Sequence, residues 1–198
     1  MLRPFATPLP LGFLGLMVAT ATLATLQLHW LPATQGHLAA LVPLLFAAPL
    51  QLIACVFGFL TRDGVAASGM GVLAATWLLT GLVILLSPPG STSGALGVML
   101  LCSTAALLVP AAAGMKKGAA AAVMALAAAR FAVTGIYELT ALPVWQTAAG
   151  AVGLALAVLA LYAALGFDLE SVADRTVLPL GRSRPVDDVP EPGVRRHL

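Results

Sequence analysis

Long apolar stretches alternate with short runs of Pro, Gly, Ser and charged residues along almost the whole chain. The stretches fall at about residues 11–31, 37–60, 65–86, 95–114, 119–139 and 146–166. The breakers between them read LPATQG, TRDG, SPPGSTSG, MKKG and TALP. A helix that crosses a bilayer needs roughly 20 apolar residues. The pattern therefore predicts an all-α, polytopic membrane protein with six transmembrane helices. The first stretch runs on to Trp30 with no small-residue cleavage site, so it reads as a span and not as a removed signal.

The loops predict orientation. Lys and Arg collect on the cytoplasmic side of membrane proteins. Arg3, Arg62, Lys116, Lys117, Arg175, Arg182, Arg184, Arg195 and Arg196 all fall on one side of a six-span chain, and loops one, three and five carry no Lys or Arg. Both termini are expected in the cytoplasm, with the protein in the cell membrane. Residues 1–166 then form the membrane domain and 167–198 a cytoplasmic tail. In the tail, FDLESVADRT reads as a short amphipathic helix or an extension of span six. The final PVDDVPEPGVRRHL has too few apolar residues to order itself, and His197 there is a solvated tail residue.

Composition supports this class and excludes others. The chain is 60% hydrophobic and 9% charged, against about 25% charged in soluble domains. A net charge of +2, with no basic patch interleaved with aromatics, points away from nucleic acid. Cys55 and Cys102 lie inside apolar runs and read as buried small hydrophobes. No HExxH and no Cys/His cluster with metal spacing occurs. The sequence therefore offers no metal site, no cofactor site and no apparatus for an enzyme. His29 and His37 flank the first external loop and read as interface residues, or as sensors of pH near neutrality. Trp30 and Trp145 stand at span ends, where interfacial aromatics belong, and Trp77 lies deeper, as a packing residue or a pore-wall residue, packing being the commoner role of aromatics in helix contacts. The small residues of GVAASGMGVLAA (64–75) and GAAAAVMALAAA (118–129) predict close helix contacts.

Polar residues inside the spans are the candidates for function: Gln27, Gln51, Thr76, Thr80, Ser103, Thr104, Arg130, Thr134, Tyr137 and Glu138. Pro43, Pro49 and Pro110 are expected to interrupt their helices. Residues 130, 134 and 137 share one helical face. Arg130, the tenth basic residue, is the outlier, since a mid-span arginine costs about 2.5–3.5 kcal/mol on insertion scales. Two readings stand for it. In one it is structural: it leans toward Glu138, about 12 Å along the axis at 1.5 Å per residue, or snorkels, or binds a helix-end carbonyl. In the other it attracts a small anion.

The N-terminal TPLPLGFLGL (7–16) resembles the Asn-Pro-Ala-Pro-Leu-Gly-Leu signature of the acetate uptake transporter family, of the succinate–acetate permease type. The ending LYAALGFDLESVADRTVLPLG (161–181) is similar to that family's Arg-Thr-Val-Leu-Pro-x-Gly ending. AAPLQLIACVFGF resembles its second helix, and GMKKGA its fourth loop. The resemblance covers most of residues 7–181. It implies a homo-hexamer in which each protomer moves acetate or related small carboxylates, succinate among them, with protons or as a channel-like flux. It places the substrate entrance at Thr7, Pro8, Pro10 and Gly12, with a helix-start proline as the plain reading of the prolines. It aligns the narrow pore ring with Leu16, Leu73 and Ala129, aliphatic where the family has two aromatics. Gln51, Arg130, Thr134 and Tyr137 become polar pore stations. The family's signature asparagine is Thr7 here, an acidic residue near the inner end of span two aligns with Gly58, and Arg130 stands where neutral residues are usual. The alternative from another class is a non-transporting membrane assembly or sensor component, in which Arg130 is structural.

Overall fold

A computed structural model of the chain describes residues 7–173 and 175–181. The described residues form six long helices with no strand among them. They are α1 (Leu9–Gln27), α2 (Ala33–Leu60), α3 (Gly64–Leu86), α4 (Gly94–Ala113), α5 (Ala119–Thr140) and α6 (Pro143–Ala173). Each is long and apolar enough to cross a membrane. The outward faces are apolar too: Leu45, Phe59, Leu86, Val109 and Val158 are all exposed. Large apolar side chains over the whole exterior suit lipid as the surrounding solvent.

Each helix packs on its neighbours in the chain, and α6 closes back on α1. The core draws on all six helices. Local chemistry explains the ends. Asp63 caps α3 by accepting from the Ala66 N–H at 3.1 Å, and Ser93 caps α4 by accepting from Leu96 N–H at 3.3 Å. Asp63 also pairs with Lys117, which ties the α2–α3 and α4–α5 loops together. Those loops and the chain after α6 share one end of the bundle. At the other end a His37 ring nitrogen bonds the Ser87 carbonyl at 2.9 Å.

The prolines act unequally. Pro43 and Pro49 cannot donate to the carbonyls four residues before them. α2 widens there into a π-helical turn, Val42–Ala47, which contains Pro43 and ends two residues before Pro49. That turn packs between α1 and α3; at Gly81 of α3 a Cβ would lie 2.8 Å from the Ala40 carbonyl oxygen. Pro110 does not break its helix, contrary to expectation: α4 runs unbroken through it to Ala113. Its missing N–H takes the helical donor from one carbonyl, that of Ala106, and the helix ends three residues later.

α6 runs seven residues past residue 166, since FDLESVA continues the helix to Ala173, the second of the two forms expected for that stretch. Residues 175–181 then fold back on the bundle. The Leu180 carbonyl accepts from Ala119 N–H at 2.8 Å, which satisfies an orphan donor at the start of α5. The Tyr162 hydroxyl donates to the Pro179 carbonyl at 2.9 Å, and Leu180 is buried over Gly166. The predicted disorder of the distal tail falls on residues outside those described.

Gly118 permits this latch. Its φ is +39°, and a Cβ there would fall on the Leu180 and Gly181 carbonyl oxygens. Backbone strain of this kind costs of order 1–3 kcal/mol. Gly118→Ala should therefore release residues 175–181 and speed tryptic cleavage at the exposed Arg175 by about tenfold, the equivalent of about 1.4 kcal/mol. Gly94→Ala, which faces open space, should leave cleavage unchanged. Equal cleavage of the two variants would show that the latch does not hold the segment.

Candidate functional site

Arg130 is among the largest fully buried side chains, at 2% exposure. Three helices hold its guanidinium. Nε–H donates to Thr20 Oγ1 of α1 at 3.2 Å. Nη1 donates to Thr134 Oγ1 one turn along α5 at 2.9 Å and to the Ala149 carbonyl of α6 at 2.7 Å. The fork lies flat against Gly153, where a Cβ would stand 2.8 Å from Nε and 3.0 Å from Cζ. Thr20 in turn donates to the Gly153 carbonyl at 3.4 Å.

Every one of these acceptors is neutral. No salt bridge joins Arg130 to an acidic residue among the described residues. The suggested lean toward Glu138 is not made: Glu138 accepts from Ser93 N–H at 2.7 Å, at the start of α4. The structural reading survives in another form, as a three-helix brace through a carbonyl and two hydroxyls. Tyr137, two turns from Arg130 and half-buried, makes no hydrogen bond with it, so only Arg130 and Thr134 of the expected polar face meet.

Gln51 is fully buried, and its Nε2 donates to the Gly12 carbonyl at 3.3 Å while Oε1 has no protein partner. Gly12 admits the Met70 side chain of α3 directly over its Cα, so it belongs to an inter-helix contact. Pro8 and Pro10 open α1 as its N-cap and second residue, the helix-start role proline suits. Thr7 is exposed, just ahead of α1.

The three expected ring residues do not share one environment. Leu16 and Leu73 are fully buried in the shared core. Ala129 is exposed and does not join them. It continues the outward stripe of Ala122 and Ala125 along α5, and that stripe borders an open apolar groove with Leu108 and Met115. The inward positions of that turn belong to Ala127, Ala128 and Phe131. Burial of Arg130 sets the helix rotation that turns Ala129 outward, since neighbouring residues on a helix point about 100° apart. Both cysteines also depart from expectation. Cys55 is half-buried and Cys102 exposed, because on a helix in lipid an apolar run has an outward face as well as an inward one.

Thr20, Ala149 and Gly153 escape a reading of the sequence. Thr20 is one hydroxyl among many in α1, Ala149 acts through its backbone, and Gly153 acts through having no side chain. The sequence signal for the last is the small-residue pair Gly150–Gly153 within a span.

The fold matches that of the bacterial acetate channel SatP. The two superpose with a TM-score of 0.80 at 21% sequence identity, over 89% of this chain and 99% of that one. No family model matches the sequence. No curated protein matches it either. The likeness to SatP is thus one of architecture, carried by helix lengths and packing while most residues differ.

Proposed function

We propose that this chain is a divergent member of the acetate uptake transporter family and carries acetate or a related small carboxylate, succinate included, across the cell membrane. The observation that carries the reading is Arg130: a buried guanidinium held by neutral groups, in a bundle with the architecture of an acetate channel. A carboxylate alone in lipid is prohibitively desolvated. An uncompensated positive charge inside the protein lowers that barrier. Thr7 and the start of α1 serve as the entrance, and Gln51, with an unpartnered Oε1, as an inner polar station. Leu16 and Leu73 form the dry constriction, with the inward alanines of α5 in place of Ala129. Thr134 holds Arg130 in position, and Tyr137 lies farther out along the same helix. The basic loops mark the cytoplasmic end, so both termini lie inside. Proton-linked uptake and a hexamer follow from the family resemblance.

Arg130's bonds to three helices favour one other reading, a non-transporting assembly component in which the arginine only braces the bundle. Labelled acetate uptake into proteoliposomes, with and without an inward proton gradient, separates the two. Gradient-accelerated uptake is the expected result. A correctly folded protein that moves neither acetate nor succinate would leave the assembly reading standing.

A further inference from the structure

On α3, Trp77 and Thr80 are buried to 2% and 4% exposure, and neither Trp77 Nε1 nor Thr80 Oγ1 has a protein partner. Packing alone does not account for this. A buried indole N–H usually finds an acceptor. Membrane-helix threonines usually back-bond to the carbonyl four residues earlier, and Thr22, Thr76, Thr104, Thr134, Thr140 and Thr147 all do so here. Thr80 does not. Residues 77 and 80 are three apart and therefore share a face. Two donors without acceptors thus stand together on one dry face.

Their depth is informative. One crossing helix separates α1 from α3, so the two run in the same direction. Met70 over Gly12 sets them level. Leu16 and Leu73 lie one turn outward of that contact. Thr20 and Trp77 lie about 12 Å and 10.5 Å outward of it at 1.5 Å per residue, one turn beyond the leucines. Thr20 holds Arg130. Trp77 stands edge-on to Phe131, the next residue, with ring centroids 5.3 Å apart at 72°. The paired donors and the uncompensated guanidinium therefore occupy the same level of the bundle.

We propose that Trp77 and Thr80 form a carboxylate-binding station just outward of the Leu16–Leu73 constriction, the indole N–H and the threonine hydroxyl each donating to the anion within the field of Arg130. The proposal rests on the carboxylate reading above and adds where, and through which atoms, the anion is held. Two donors and a nearby cation suit the two oxygens of a monocarboxylate and reject cations.

Trp77→Phe removes the N–H and keeps a ring; Thr80→Val removes the hydroxyl and keeps the shape. Each should cut acetate uptake into proteoliposomes about tenfold, the loss expected for one charge-assisted hydrogen bond. Binding is read separately in Trp30→Phe/Trp145→Phe protein, where Trp77 is the one remaining tryptophan. Titration with sodium acetate should shift its emission where sodium chloride at equal ionic strength does not, and Thr80→Val should weaken the apparent affinity about tenfold. If acetate and chloride act alike on the emission and both variants transport as the parent does, with Thr80→Val more heat-stable, the groups are packing imperfections and the station falls while transport stands. An acetate-specific shift in a parent protein that transports nothing would keep the station and sink the transport reading.

Discussion

Arg130→Met should cut acetate uptake at least tenfold and leave the folded, membrane-inserted protein nearly as abundant and stable as its parent. The stability half follows from the bonding. Removing the guanidinium relieves an insertion cost of about 2.5–3.5 kcal/mol and forfeits three hydrogen bonds, which within a membrane bundle average only about 0.6 kcal/mol each. None of the former acceptors is orphaned. Thr20 keeps its bond to the Gly153 carbonyl, and Thr134 keeps its bond to the carbonyl of residue 130. Methionine refills most of the volume. The flux half follows from the charge. At about 6 Å and an effective dielectric near 20, a unit charge lowers the energy of an anion by about 3 kcal/mol, roughly a hundredfold in rate. Incomplete rate limitation at that step brings the expected loss down toward tenfold. Arg130→Lys keeps the charge without the fork and should fall between. Size-exclusion profiles and uptake measured on the same preparations decide the matter. If folded protein and flux disappear in equal proportion, Arg130 is a brace and nothing more.

Gly153→Val should be among the most destabilising single changes in the bundle. Its Cβ would stand 2.8 Å from Arg130 Nε and 3.1 Å from the Ala24 Cβ, so the guanidinium must leave its bonds to Thr20 and Ala149. A buried charge stripped of its partners costs about 3–5 kcal/mol, and the expected readout is a large drop in thermal midpoint in detergent. The same substitution placed in Arg130→Met protein should cost only the overpacking, about 1–3 kcal/mol. The difference is a coupling energy on the order of 2 kcal/mol, measurable as a double-mutant cycle. Additive effects would mean that the arginine does not rest on Gly153.

The span pattern and the loop charges were readable residue by residue because they depend on length and local composition. A helix in lipid must satisfy its backbone internally, so each apolar run could take one form only, and all six runs appear within a few residues of their expected ends. The long α6 is the exception. FDLESVA is polar by membrane standards, and composition alone does not say that a helix continues past the bilayer when the segment after it folds back to cover its end.

The site was legible only as a set of candidate residues. Arg130 and Gln51 stood out because polar atoms are rare in the spans, and both prove to be fully buried. Ala129 was placed on the pore by alignment, and the structure turns it outward. With alanine at 127, 128 and 129, the sequence has no signal for which of the three faces in. That choice belongs to the rotation of α5, which the Arg130 bonds to α1 and α6 set.

Class and the number of membrane-length helices were thus determined by the sequence alone, since hydrophobic length acts locally along the chain. The tertiary structure decided what holds Arg130, which residues stand level with it, and that Trp77 and Thr80 are left with unanswered hydrogen bonds. These are relations between helices far apart in sequence. In lipid they are set by packing and by the few polar contacts available between helices, and no single segment carries them.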